Sequence, residues 1–503
     1  MKNSVTGNIA WTYANWAVSL AVPLVMVPIY LRYLGTVTYG QWLVVLSLTS
    51  YLSLANLGMA QAVSNRAAEA LAQDRSHEVG ALISTAFFTY AAVAAVIVAA
   101  FAIAAPYFGG RLALHGGPAV LAAALVYLGL VMIGFPLKVH LMMLRAFQRV
   151  DQEQAINAGT NTVRVAILAL ALVAGFKLLA VALINGASEV LAPLVAYRQL
   201  RRQSSEAWPR LARFSSRLLR EMLKPSLGFL GIQIGGTLIS GLDNLVIGYA
   251  LGAAAVTLYA VPMRLMVMCA SVFSVALVAL VPTVTANFAL GRVERIGSGL
   301  MFSIRLALLY ATVGAIALIV VGPAFLRLWA GREVFPGHLT YGLQVALFWL
   351  TVWAAPGATV LWATTRHYAW SVLSVVEGLL NLALSLWWVR RYGLVGVIGG
   401  TIAAALLTNA WFIPYAALRT LHVSLRSAAR ELAPGAAVCA AALAATVILW
   451  RPESAASLPE SAAVAALIVV AFVLAFGLIG LSDEERRAAR AVVGGWVRQE
   501  RAA

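Results

Sequence analysis

Residues 198–224 read RQLRRQSSEAWPRLARFSSRLLREMLK, the longest polar run in a chain that is otherwise mostly apolar. The run carries eight of the 36 basic residues and two acids, Glu206 and Glu221. Arg210, Arg213, Arg217, Arg220 and Lys224 recur at helical spacing, and Leu211, Phe214, Leu218 and Met222 form a second stripe. Pro209 suits the first position of a helix, and Trp208 suits a water–lipid boundary. The stretch therefore predicts an amphipathic helix lying on an anionic cytoplasmic leaflet; a solvated basic linker that only fixes topology is the plainer alternative. It divides the chain into 1–198, an N-terminal six-helix lobe; 199–224, the connector; 225–420, a C-terminal six-helix lobe; 421–481, two further helices; and 482–503, a cytoplasmic tail.

The class follows from composition. Of 503 residues, 62% are apolar and 11% charged, and mean hydropathy is +0.87. Soluble domains carry about 25% charged residues, so this is an all-α polytopic membrane protein. The net charge of +17 would suggest a nucleic-acid partner in a soluble protein, but most of the excess lies in short loops between apolar runs. Orientation and anionic lipid explain it better, and no nucleic-acid partner is expected. The two cysteines, Cys269 and Cys439, fall inside apolar runs and form no disulfide framework. The first apolar run, Ile9 to Leu34, is too long for a cleavable signal sequence and lacks a small-residue cleavage site.

A span needs roughly 20 apolar residues. Fourteen candidates are present: 9–34, 40–62, 80–108, 119–144, 155–175, 178–198, 225–250, 256–282, 298–326, 339–363, 368–389, 394–418, 433–450 and 460–481. With the N-terminus inside, the inner segments hold about 24 Lys and Arg and the outer ones about 8, a bias that puts both termini in the cytoplasm. The tail opens Ser482-Asp-Glu-Glu485, a capping-box pattern that predicts a short surface helix.

The two halves repeat. Leu34-Gly35 matches Leu251-Gly252, and Asn65 matches Asn287. Pro136, Asn161 and Gly175 match Pro356, Asn381 and Gly393. The offsets of 217, 222, 220, 220 and 218 stay in step along the half. Six spans per repeat make the repeats parallel, related by an axis along the membrane normal. Prolines fall inside many spans, among them Pro23, Pro136, Pro262, Pro356 and Pro414, and predict bent helices.

No enzyme signature is present. Paired Cys or His at metal-ligand spacing, a phosphate loop and a nucleophile elbow are all missing, and external stretches reach only about ten residues. No metal and no cofactor is expected. What remains is the set of ionisable residues inside spans, each of which needs a partner or a wet cavity. Lys138, Arg164, Arg264 and Arg305 are basic; Glu189, Asp243 and Glu377 are acidic. Arg164 and Glu189 share a depth near the midplane on neighbouring spans, which predicts either a structural ion pair or an anion site tuned by the acid. Asp243 and Arg264 share a depth in the hairpin of spans 7 and 8, and a structural pair is favoured there. Lys138 and Arg305 lie close enough to the inner surface to snorkel. Glu377 is a coupling-ion site or a protonated, hydrogen-bonded acid.

Three stretches carry a family resemblance. PIYLRYLGTVTYGQW (28–42) followed by LANLGMAQAVSN (54–65) resembles the opening of polysaccharide-repeat (O-antigen, Wzx-type) flippases, of the multidrug/oligosaccharidyl-lipid/polysaccharide exporter superfamily. LDNLVIGYALGAAAVTLYAVPMRL (242–265) and LLNLALSLWWVRRYGLVGVIGGT (379–401) resemble the repeat of the same family. The resemblance implies two six-helix lobes around a central cavity, two extra helices, and alternating access. It implies a cargo of oligosaccharide on polyprenyl pyrophosphate, carried to the external leaflet of a bacterial inner membrane for O-antigen or exopolysaccharide synthesis, with a polysaccharide polymerase complex as neighbour. By position it points to Arg164 first as cargo-binding residue, then Lys138, Arg264, Arg305 and Arg32. Glu189, Asp243 and Glu377 are the candidates for coupling to H+ or Na+, with the membrane potential as the other driving force. A multidrug/cation antiporter of the same superfamily is the alternative, and a membrane glycosyltransferase or ligase a weaker one.

Overall fold

The computed structural model describes residues 5–56, 59–73, 75–108, 117–202, 208–449, 457–481 and 485–487. Among them there are helices and turns and no strand. In chain order the helices are α1 (Val5–Ser50), α2 (Met59–Ala72), α3 (Ser76–Phe108), α4 (Gly117–Leu137), α5 (Val139–Ala146), α6 (Val150–Val173), α7 (Leu178–Arg201), α8 (Ser216–Leu251) and α9 (Ala253–Val278). There follow α10 (Val281–Ala289), α11 (Val293–Trp329), α12 (His338–Ala363), α13 (Tyr368–Tyr392), α14 (Leu394–Leu407), α15 (Asn409–Thr420), α16 (Leu425–Leu449) and α17 (Leu458–Ile479).

Thirteen described segments are long and apolar enough to cross a membrane. The first, Trp11–Ser50, has 40 residues. At about 1.5 Å per residue it is roughly 60 Å long, twice the ~30 Å hydrocarbon core. Gly35, at φ 78° and ψ 169°, breaks it. Gly252, at φ 88° and ψ 169°, separates α8 from α9 with nearly the same backbone. A positive φ with extended ψ is open to glycine and strained for other residues, so the two repeat-matched glycines make the same one-residue hairpin. Counting α1 as two legs gives the fourteen spans expected. The glycine hairpins also pack together: a Cβ on Gly40 would lie 1.8 Å from the Ala253 carbonyl oxygen, and the Thr257 hydroxyl donates to Thr36 O at 2.7 Å.

The packing divides elsewhere than the sequence halves do. Residues 1–261 with 374–397 form one compact unit, and 262–373 with 398–503 the other. The lobe expected at 225–420 is therefore shared between units. Close approach at glycine is the reason: a Cβ on Gly235 of α8 would meet Ser374 at 2.4 Å, and one on Gly378 of α13 would meet Leu238 at 2.5 Å. Those contacts bind α13 to α8, and α8 packs on α1 and α2.

The connector differs from the expected surface helix. Helix α7 runs to Arg201, and residues 203–207 lie outside the described ones. Trp208 to Ser215 is an extended strap with one 3-10 turn at Leu211–Arg213. The strap is pinned to α3: Arg210 N donates to Ser84 Oγ at 3.0 Å and Ser215 N to Thr85 Oγ1 at 3.1 Å. Ser215 then caps α8 by accepting from Leu218 N at 3.3 Å. From Ser216 the helix continues without a break into the apolar span, because a cap and a helical stripe outrank the change in polarity at Lys224. Glu221 joins it to α2 through Arg66 at 2.8 Å. Ser482 to Glu484 lie outside the described residues; Glu485–Arg487 are helical.

Candidate functional site

The first unit holds a charged cluster at the seam of α4, α6 and α7. Glycine sets the spacing of the seam. A Cβ on Gly134 would come within 2.4 Å of Glu189 O, and one on Gly186 within 2.7 Å of Leu130. The backbones of α4 and α7 thus approach closely, one turn before Lys138 and one turn before Glu189. Lys138 stands at the break between α4 and α5, two residues after Pro136, and its Nζ reaches Glu189 Oε2 at 2.8 Å. On α6, Arg164 Nη1 donates to Asn185 Oδ1 at 2.6 Å and Nη2 to Asn161 Oδ1 at 3.1 Å. Asn185 stands one turn before Glu189 on α7, so the two contacts share one cluster.

The pairing of Arg164 with Glu189 is thereby corrected. Glu189 takes Lys138, and Arg164 takes two amides. Lys138, close enough to the inner surface to snorkel and second among the cargo candidates by sequence, is aimed at α7 by the proline break and the α4–α7 contact. Asn185 escaped the sequence reading because an uncharged amide inside a span gives no signal of its own. Asn161 was visible only as a repeat match.

A second polar network lies within the same unit. Asp243 accepts from the Tyr259 hydroxyl at 2.6 Å on Oδ2 and from Asn381 Nδ2 at 3.2 Å on Oδ1. Ser385 donates to Asn381 Oδ1 at 3.0 Å. Asp243, Tyr259, Asn381 and Ser385 are all buried, and Glu377, one turn before Asn381, is buried too. The pair expected between Asp243 and Arg264 gives way to neutral partners: α9 presents Tyr259 to Asp243 of α8, and α13 presents Asn381. Arg264 belongs to the second unit and is exposed on α9. Two neutral groups on neighbouring helices, the Tyr259 hydroxyl and the Asn381 amide, thus bond the two oxygens of Asp243. Among the described residues no group of three or more His, Cys, Asp or Glu is placed to hold a metal ion.

The remaining candidates, Arg305 and Arg32, bond to neither cluster. Arg305 on α11 is 4% exposed; its Nη1 donates to Glu485 at 2.7 Å and its Nη2 to Glu431. Two carboxylates hold it, so it ties α16 and the start of the tail to α11. Arg32 is exposed near the end of the first leg of α1, its guanidinium carbon 5.8 Å from the centre of the Tyr33 ring.

Residues 5–288 match the profile of the family described as "Polysaccharide biosynthesis protein". No curated protein sequence matches the chain. Among solved structures the chain is similar to the lipid II flippase MurJ in an inward closed conformation, with TM-score 0.71 and 11% identity over 93% of this chain and 98% of that one. It is similar to an inward-facing multidrug resistance MATE family transporter of the MOP superfamily, with TM-score 0.64 and 15% identity over 81% of this chain and 95% of that one. It also resembles the Vibrio cholerae MATE transporter VcmN in its bent form, with TM-score 0.52 and 15% identity over 83% and 99%. At such identities the likeness is one of fold.

Proposed function

The chain belongs to the polysaccharide biosynthesis protein family, and from that premise we propose that it is a flippase for an oligosaccharide linked to polyprenyl pyrophosphate. The direction is from the cytoplasmic to the external leaflet of a bacterial inner membrane, by alternating access, with both termini in the cytoplasm. The observation that carries the reading is Arg164: a guanidinium in the middle of a membrane helix, held, among the described residues, by two neutral amides. A pyrophosphate cannot cross hydrocarbon unaided, and Arg offers its oxygens a planar fork that replaces lost hydration. The fold shared with a lipid II flippase supports a lipid-linked cargo. Outward movement of an anion is favoured by an inside-negative potential by about 2.3 kcal/mol per charge for each 100 mV. Asp243 and Glu377 are the groups through which a proton or sodium ion would be exchanged, and Glu189 acts through Lys138. Anionic lipids meet the basic strap, and a polymerase would take the delivered cargo.

A second reading, cation or drug antiport, draws on the buried carboxylates Asp243 and Glu377 and on the MATE likeness. One pair of assays separates the two. Cells carrying Arg164→Ala at wild-type protein level should lose surface polysaccharide and accumulate its lipid-linked precursor. Wild-type cells should show no gain in drug resistance over cells lacking the protein. Normal polysaccharide with Arg164→Ala, or a drug-resistance gain lost with Asp243→Asn, would favour antiport.

A further inference from the structure

One cluster holds its two cations in opposite ways. The Lys138 ammonium meets a carboxylate, Glu189 Oε2, at 2.8 Å, so that pair is neutral as a whole. The Arg164 guanidinium meets two amide oxygens, and no carboxylate of a described residue pairs with it. The orientation of one amide is fixed independently. Asn185 is 7% exposed, and its Nδ2 donates to Val181 O at 2.7 Å, one turn back on α7. Its Oδ1 must then face α6, where it takes Nη1 of Arg164 at 2.6 Å. Asn161, one turn before Arg164 on the same helix, takes Nη2. A guanidinium has more N–H donors than these two bonds use. The amides thus fix the plane of the group and leave both its charge and part of its fork unspent.

We propose that Asn161 and Asn185 are positioning residues: they hold Arg164 in place without neutralising it, and so set the site's preference for cargo bearing phosphate-type anionic oxygens over the same lipid without them. The inference rests on Arg164 being the cargo receptor. Neutrality is the operative property. Asparagine and aspartate are nearly the same size, yet an aspartate at either position would turn the held guanidinium into an ion pair and cancel its attraction for phosphate. The Lys138–Glu189 pair, one turn along α7 from Asn185, displays what that quenched state looks like.

The test uses full-length protein in lipid nanodiscs, titrated with a polyprenyl pyrophosphate and with the corresponding polyprenyl alcohol. Asn161→Asp and Asn185→Asp should each weaken pyrophosphate binding about tenfold or more, the scale of one lost charge-assisted contact. Binding of the alcohol should not change, and the thermal midpoint should stay level or rise. Asn161→Ser and Asn185→Ser keep a neutral acceptor and should stay within about threefold of wild type, well under the loss of such a contact. If the Asp variants bind pyrophosphate like wild type while Arg164→Ala does not, the positioning role is overturned and Arg164 stands as receptor. Loss of alcohol binding in the Asp variants would mark the asparagines as scaffold and overturn it too. If Arg164→Ala binds pyrophosphate like wild type, the receptor reading itself fails.

Discussion

Arg164, Lys138 and Glu189 are three charges on adjacent helices, and the sequence displays all three without saying which meet. Helix rotation decides it, and rotation here follows from Gly134 and Gly186, whose meaning depends on what stands opposite them. An Arg164→Ala, Glu189→Ala double variant should therefore regain no export, since Glu189 neutralises Lys138 and not Arg164. Recovery to near wild type would restore the Arg164–Glu189 pair. By the same geometry, Lys138→Ala and Glu189→Ala should couple. Their separate losses of thermal stability should exceed the double variant's by about 1 kcal/mol, the scale for a pair that is one-third exposed on each side. Simple additivity in denaturation would count against the bond. Asp243 was legible as a buried acid and misread as half of an ion pair; its partners, Tyr259 and Asn381, are neutral and carry no charge signal. Asp243→Asn keeps an acceptor for Asn381 and reverses the Tyr259 contact, its new amide donating to the phenol oxygen; it should fold at wild-type level, while export loses its dependence on the external cation or pH. Unchanged dependence would remove Asp243 from coupling.

At the scale of elements, hydropathy displays the number of spans but not all their ends, since the span expected at 40–62 stops at Ser50 and that at 433–450 begins at Leu425, and the connector is not legible as a strap. Its Arg and Leu stripes fit a helix from Pro209 onward. Two facts of packing overrule that: the Ser84 and Thr85 hydroxyls accept the backbone N–H groups of Arg210 and Ser215, and Ser215 supplies the cap. Ser215→Ala should destabilise the start of α8 by about 1 kcal/mol. Hydrogen exchange should quicken at Leu218 and in the strap and stay unchanged at Asp243; protection that does not alter at Leu218 would deny the cap. The basic character of the connector survives its change of form, since Trp208, Leu211 and Phe214 stand exposed beside Arg210, Arg217 and Arg220. That mixture still suits an anionic interface. The C-terminal elements offer a sharper case. Arg305 looked like a cavity charge from its position in a span, and the acids that claim it come from α16 and the tail, far along the chain. Arg305→Met should lower stability by about 3 kcal/mol, because it strands two acids of which one is largely buried. Adding Glu431→Gln and Glu485→Gln should recover much of the loss. No loss in the single variant would mean that the clamp holds nothing.

For the whole molecule, the internal repeat is the deepest feature the sequence revealed, and the backbone carries it further. Gly35 and Gly252 share one conformation; Gly175 and Gly393 both take positive φ, as do Gly117 and Gly337. Gln148 and Thr365, at φ 56° and 57°, are a further matched pair that no residue comparison suggests, since the two side chains are unlike. The compact units were not legible, because they depend on which glycine faces which helix rather than on the order of spans. Orientation rests on Lys and Arg in the loops. Single cysteines introduced at Ser204 and Ser482, with Cys269 and Cys439 replaced, should resist an impermeant thiol reagent in intact cells, while one at Gly116 should react; labelling at Ser204 would invert the topology. The central claim is translocation of a lipid-linked anion through the Arg164 site. It is tested most directly in proteoliposomes of defined orientation, loaded on the cytoplasmic-side leaflet with oligosaccharide linked to polyprenyl pyrophosphate, by following the rate at which the sugar becomes accessible to an impermeant glycosidase at the other face. The account predicts fast exposure with wild-type protein and the protein-free rate with Arg164→Ala, the lipid-linked sugar being chemically unchanged until the glycosidase acts. Equal rates for wild type and Arg164→Ala, or no rate above protein-free vesicles for either, would contradict it.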